Sequence, residues 1–119
     1  LALVRTTPAN RPLTPEDHVQ IDWGEDFAAS YQAAFPDQPN AVVSIGYGPL
    51  ALDYLLATGG CGYFRMGAVR SYLEEGRLML VPDSPEFSYS AYVVHSTKAD
   101  PFLMDRIRGG LRAAAAIAT

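Results

Sequence analysis

Three short apolar runs, His18-Val19-Gln20-Ile21-Asp22, Ala41-Val42-Val43-Ser44-Ile45 and Cys61-Gly62-Tyr63-Phe64, are separated by two stretches of helical period. That alternation is the strongest constraint in the chain. A strand followed by a helix and another strand returns in the same direction by a right-handed crossover, so the pattern selects a parallel sheet clad by helices. The first helix follows Trp23-Gly24, with Phe27, Tyr31, Ala34 and Phe35 on one face and acidic Glu25 and Asp26 suited to its positive end. Pro36-Asp37-Gln38-Pro39-Asn40 stops it.

The second helix opens at Gly46-Tyr47-Gly48-Pro49, where a proline is preorganised for the first helical position. Over residues 49–58 its polar side chains are Asp53 and Thr58, so it is expected to be largely buried. Gly59-Gly60 ends it. A strand over residues 1–5, a connector through Pro8 and Pro12, a helix over residues 68–75 and strands over residues 77–81 and 87–95 complete the main body. A last helix starts at Asp100-Pro101 and carries Phe102, Leu103, Met104, Ile107 and Leu111. The expected fold class is α/β, a Rossmann-like mixed sheet flanked by helices, with an antiparallel strand late in the chain.

A length of 119 residues accommodates one ordinary domain. With 49% apolar and 18% charged residues the chain has enough core material to fold, which excludes a disordered segment. Residues 1–59 hold 2 basic and 7 acidic side chains, whereas residues 60–119 hold 7 and 6, so no phosphate-gripping surface is expected and no nucleic-acid binding by this segment itself. One cysteine, Cys61, excludes an internal disulfide, and His18 and His95 are too far apart in sequence for a local metal motif. No cofactor is expected. No apolar run reaches the roughly 20 residues needed to span a bilayer. Leu1-Ala2-Leu3-Val4 has neither a methionine nor a basic leader, and the chain is read as cut from something longer.

Gly46-x-Gly48 lacks the third glycine of a dinucleotide-binding turn, since position 51 is alanine; it reads as a tight turn into a helix whose free N–H groups can hold a small carboxylate. No G-x-S-x-G is present, and Ser44-Ile45-Gly46 belongs to a strand. His18 and His95 read as ordinary hydrogen-bonded residues at strand ends, and Cys61 as a small buried filler. Trp23, Tyr47 and Phe64 differ from the other aromatics because each stands where a strand leaves the sheet, the place where open parallel sheets bind ligands. Arg65 follows at the same edge. The candidate site is therefore Trp23, Gly24, Tyr47, Gly48, Phe64, Arg65 and Met66, with no catalytic or metal-ligating residue among them.

The run Val43-Ser44-Ile45-Gly46-Tyr47-Gly48-Pro49-Leu50-Ala51-Leu52-Asp53-Tyr54-Leu55-Leu56, then Gly59-Gly60-Cys61-Gly62-Tyr63-Phe64, then Leu73-Glu74-Glu75-Gly76-Arg77-Leu78 resembles the effector-binding region of LysR-type transcriptional regulators, which has the type 2 periplasmic-binding-protein fold. Ala33-Ala34-Phe35-Pro36-Asp37 is similar to that family's "F-P-D" helix exit. Where many members have a proline two positions after the residue matching Phe64, this chain has Met66. The resemblance implies that residues 1–97 are subdomain II, bounded by hinge strands at residues 1–7 and 90–97. Residues 98–119 would be a helix returning to subdomain I of the intact protein.

It further implies a bacterial, cytoplasmic, non-catalytic transcription regulator that senses a small molecule, a small acid among the candidates, in the cleft between subdomains. DNA would be reached only through a missing N-terminal winged helix-turn-helix. Homodimer contacts would fall on residues 26–35, on residues 41–45 and on the last helix, whose row is read as Phe102, Met104, Ile107 and Leu111. Two other readings stay open: a fragment of a solute-binding protein of a transport system, which shares the fold but carries an export signal, and a small α/β enzyme, disfavoured because no base, nucleophile and oxyanion set converges.

Overall fold

In the computed structural model, which describes residues 1–118, strands β1 (Ala2–Thr6), β2 (Val19–Ile21), β3 (Val43–Ile45), β4 (Cys61–Phe64) and β5 (Leu78–Leu80) are interleaved with helices. The helices are α1 (Glu25–Ala34), α2 (Gly48–Thr58), α3 (Met66–Glu74) and α4 (Pro101–Ala118), with a 3-10 turn at Pro15–Asp17. The class is mixed α/β, as the alternation of patterns predicts.

Strand direction follows from the pairings. β2 and β3 pair in parallel, Val19 opposite Val43 and Ile21 opposite Ile45. β1 pairs antiparallel with β4 on one side, Arg5 opposite Cys61, and with β5 on the other, Arg5 opposite Met79. The strands thus form a three-stranded antiparallel sheet, β4-β1-β5, and a two-stranded parallel one, β2-β3, in place of the single sheet expected, and an isolated parallel bridge between His18 and Cys61 sets β2 beside β4. Strands β2, β3, β4 and β5 therefore all run one way, each reached through a helix, and β1 alone runs the other. The antiparallel strand is the first in the chain, a correction to the expected late one. Nothing local marks it, because its direction is fixed by partners more than fifty residues away.

The core lies on the face covered by α2 and α3. Val4, Phe64 and Leu78 from the strands meet Leu52, Leu55 and Val69 from the helices, joined by Val19 and Ile21. Each such side chain contributes roughly 1.5–3 kcal/mol on burial. The pleat sends Tyr63 to the opposite face. There it joins Phe27 and Tyr31 of α1 and Phe87, with ring centroids 5.0–6.1 Å away. α2 is buried on one side only: Ala51, Leu52 and Leu55 are covered, while Leu50 is 56% exposed. This corrects the expectation of a largely buried helix, since a helix laid on one face of a sheet hides one stripe however apolar its remainder is.

No strand forms over residues 87–95, and the expected hinge strand at residues 90–97 is likewise absent among the described residues. The reason is geometric. Leu78 to Val81 already occupy the free edge of β1 as far as Leu3, whose carbonyl accepts the Val81 N–H. Only Leu1 remains for a second partner. It exchanges a single pair of hydrogen bonds with Phe87, at 3.0 and 2.6 Å, and the ladder ends there.

Two compact units result, Leu1–Tyr89 and a second beginning at Ser90. In the second, Asp100 caps α4 by accepting the Phe102 N–H at 3.0 Å. Arg108 lies 3.6 Å from Asp105 and donates to His95 Nε2 at 3.2 Å. His95 is thus part of an irregular segment and does not end a strand as expected. Thr119, the last residue of the expected C-terminal helix, lies outside the described residues. No described helix is long and apolar enough to cross a membrane.

Candidate functional site

The carboxyl ends of β2, β3 and β4 lead directly into Trp23, Tyr47 and Arg65. Parallel strands built this way leave a crevice beyond their ends, where helix N-termini offer unpaired N–H groups. Here α1, α2 and α3 start at Glu25, Gly48 and Met66. Gly24 precedes α1 with φ at 98°, a left-handed conformation that favours glycine, and its N–H is held by the Asp22 carboxylate at 2.9 Å.

Trp23 is fixed at both ends. Its indole Nε1 donates to the Tyr63 carbonyl at 2.9 Å, and its ring lies against Gly48, where an added Cβ would come within 2.7 Å of the six-membered ring. Gly48 is therefore glycine so that the indole can close over the start of α2. Tyr89 meets the indole edge-on at 5.4 Å between centroids, and the Arg65 guanidinium sits 5.7 Å from the Tyr89 ring. A chain of contacts thus joins Arg65, Tyr89, Trp23 and Gly48 across three strand ends. Beside it a cavity of about 370 Å³ runs between α1 and β3, floored by Ile21, Ile45 and Phe27 and edged by Asp22, Gly24 and Gly46.

Among the sequence-derived site residues, Trp23, Gly48 and Arg65 belong to this linked set, and Tyr47 is exposed beside it. Phe64 does not offer its ring: it is 1% exposed and packed in the core. The sequence locates the strand end correctly, but the pleat turns this side chain inward, which corrects its assignment as a ligand-facing residue. Met66 is half-buried against the same core. Tyr89, which links Trp23 to Arg65, is missing from the sequence-derived site because residues 87–95 read as a strand, and that strand does not form.

A second cluster lies on the α1 face. His18 Nε2 donates to Gln20 Oε1 at 3.1 Å and lies 3.3 Å from the Tyr31 hydroxyl, which donates to Gln38 at 3.0 Å. Cys61 Sγ stands 3.8 Å from His18 Nδ1. Burial lowers the His18 pKa, against a smaller opposing pull from Gln20. Burial, reinforced by the Asp17 charge, pushes the Cys61 thiol up to about 11. Both groups are neutral at pH 7, the reverse of the thiolate-imidazolium pair that nucleophilic catalysis uses. Cys61 therefore acts as a weak donor in a satisfied buried network. Its contact with His18 spans 43 positions and comes from the adjacency of β2 and β4, so no spacing in the sequence announces it.

No group of three His, Cys, Asp or Glu side chains among the described residues could hold a metal ion. No family model, curated protein or solved structure matches the chain.

Proposed function

We propose that this chain is the effector-sensing and dimerisation segment of a LysR-type DNA-binding transcription regulator, taking a small molecule at the carboxyl ends of its co-directional strands. The observation that carries the reading is the linked set Trp23, Gly48, Tyr89 and Arg65 at those ends, with three helix N-termini around it. The helix starts and Arg65 favour an anionic ligand, and the indole offers a flat apolar wall. The reading is of a binding site: Asp22, the carboxylate at its edge, already accepts the Gly24 N–H at 2.9 Å. A ligand that favours one arrangement of two subdomains over another shifts their equilibrium, and the shift changes how paired DNA-binding modules meet their sites.

Association of two copies is supported by β3, whose outer edge carries no partner strand among the described residues, and by Val42, 79% exposed beside it. In α4 the exposed apolar row is Leu103, Ile107 and Leu111, and Met104, expected in the row, lies beside Leu111 and is buried. Phe102 stands about 140° around the helix from Ile107 and leaves the row expected from sequence.

The test is a screen of small carboxylic acids on the regulator carrying its DNA-binding module, read as a change in operator affinity. Trp23→Ala and Arg65→Gln are expected to remove the response and leave ligand-free DNA binding intact. On the 119-residue chain alone the same acids should bind weakly, in the millimolar range or above. An export leader in place of a DNA-binding module upstream of Leu1 would overturn the reading in favour of a solute-binding protein.

A further inference from the structure

At the opposite ends of the strands, where β1 finishes and β4 begins, a second cavity of about 340 Å³ is lined by Arg5, Thr7, Asn10, Arg11, Leu13 and Thr58, among others. Its donors can be accounted for one by one. The Thr7 hydroxyl donates to the Gly76 carbonyl at 2.6 Å, and the Thr58 hydroxyl donates to the Tyr54 carbonyl at 2.9 Å. Arg11 is committed to both oxygens of Asp17, whose carboxylate also takes the Thr14 N–H at 2.8 Å. That pair cancels its own charge.

Arg5 is left over. Its side chain makes one hydrogen bond, from Nη2 to the Arg11 carbonyl at 2.9 Å. Its Nε is cut off from solvent without an acceptor. No carboxylate among the described residues pairs with it. Arg5 is thus a half-buried guanidinium on the wall of the cavity, with one acceptor in an exposed hydrogen bond and no carboxylate partner. The exposed Asn10 lines the same cavity, and Leu13 and Pro8 add an apolar wall.

We infer that this cavity is a binding site for a small monocarboxylate with a short aliphatic tail. The planar carboxylate matches the guanidinium fork of Arg5 and supplies the countercharge it lacks. Asn10 donates to the same head group, and the tail lies on Leu13 and Pro8. The lining carries one net positive charge, from Arg5, Arg11 and Asp17, so a monoanion is neutralised in full. The site is separate from the Trp23 crevice and stands whether or not that crevice senses an effector.

The test is an amide-resolved NMR titration of the whole 119-residue chain with butyrate, with its neutral isostere butyramide and with inorganic phosphate, all at fixed ionic strength. Butyrate is expected to move the Arg5, Asn10, Arg11 and Gly60 signals saturably and leave the Trp23 indole signal in place, with butyramide at least about tenfold weaker. Arg5→Lys keeps the charge and loses the fork, and should weaken butyrate about fivefold or more; Arg5→Leu should abolish binding. If Arg5→Leu fails to fold, Asn10→Ala in the exposed connector must weaken butyrate instead. No saturable shift, equal response to butyramide, phosphate moving these signals while butyrate does not, or variants that bind as the parent does would each overturn the site.

Discussion

The stretch Leu1–Tyr89 and the stretch from Ser90 onward meet the demand to bury apolar surface in opposite ways. The first holds five strands and three helices around a core in which Val4, Leu55 and Val69 are wholly covered. The second has one long helix and no strand among its described residues, and leaves Leu103, Ile107 and Leu111 open by 42–52%. Charge divides the same way: 5 basic against 11 acidic residues in the first, 4 against 2 in the second. A helix with an apolar row and no core of its own derives little stability from within, because most helical stability in proteins comes from packing an amphipathic face. The first unit carries the information for its fold internally, whereas the second holds a surface whose use depends on something else.

Substitutions can break that contrast. The largest expected effect is Phe64→Ala, which empties a fully buried site and should cost about 3–5 kcal/mol in urea unfolding. Against a total of roughly 5–15 kcal/mol, that brings the first unit close to its unfolding threshold. A loss below about 1 kcal/mol would show that the core is not the closed packing described here.

Glycines sharpen the comparison. Gly60 has φ at 134°, and a Cβ there would lie 2.5 Å from the Asp17 carbonyl oxygen, so Gly60→Ala should destabilise by about 1–3 kcal/mol from backbone strain alone. Gly109 and Gly110 sit inside α4 with nothing within 4 Å of a Cβ. Replacing either by alanine should strengthen the helix by up to about 1 kcal/mol, seen as increased helical circular dichroism. Equal signs at Gly60 and Gly110 would erase the distinction between the units.

Asp17 gives a smaller effect confined to the first unit. Hydrogen bonds from Arg11, then from the Thr14 N–H, hold its carboxyl well below the usual carboxylate range. A depressed folded-state pKa stabilises at pH values above the unfolded value, near 4, and the stabilisation is lost as pH falls through the folded value. Asp17→Asn should therefore cost roughly 1 kcal/mol at pH 7 and leave a flatter dependence of stability on pH below about 4. An unchanged acid limb in the variant would remove Asp17 from the account.

Smallest in stability is Leu111→Glu. It should change the unfolding of the first unit by less than about 0.5 kcal/mol, while lowering the oligomer fraction in light scattering. Loss of the whole fold would show that α4 is core after all.

These contrasts also separate what local sequence encodes from what only long-range pairing decides. Strand and helix alternation from Val19 to Leu78 is written in local period, and α1, α2 and α3 lie within two residues of where period and capping place them. Residues 87–95 carry the aromatic and β-branched composition of a strand, yet a strand needs a free edge, and Leu78 to Val81 had already taken the edge of β1. For Phe64 the sequence marks the strand end and leaves the face open. With Cys61, Gly62, Tyr63 and Phe64 all buried, no polar residue in the run reveals the parity of the pleat. Trp23 and Gly48 were legible as neighbours of strand ends; their contact, and the Arg65 and Tyr89 pairing, depend on side-chain directions that composition does not encode.

The direction of β1 bears on the order of events at the ribosome. Of the five strands β1 emerges first and is the last able to settle, because Arg5 must wait for Cys61 on one side and Met79 on the other. Until β4 has left the exit tunnel both edges of this short apolar strand are open, and one edge stays open until Leu78–Leu80 follow, while β2, α1, β3 and α2 can already assemble beside it. Closure of the three-stranded sheet is then a long-range event of the kind that sets slow folding rates. A nascent chain arrested before Leu78 should present Leu1-Ala2-Leu3-Val4 to any chaperone that reads exposed apolar strands.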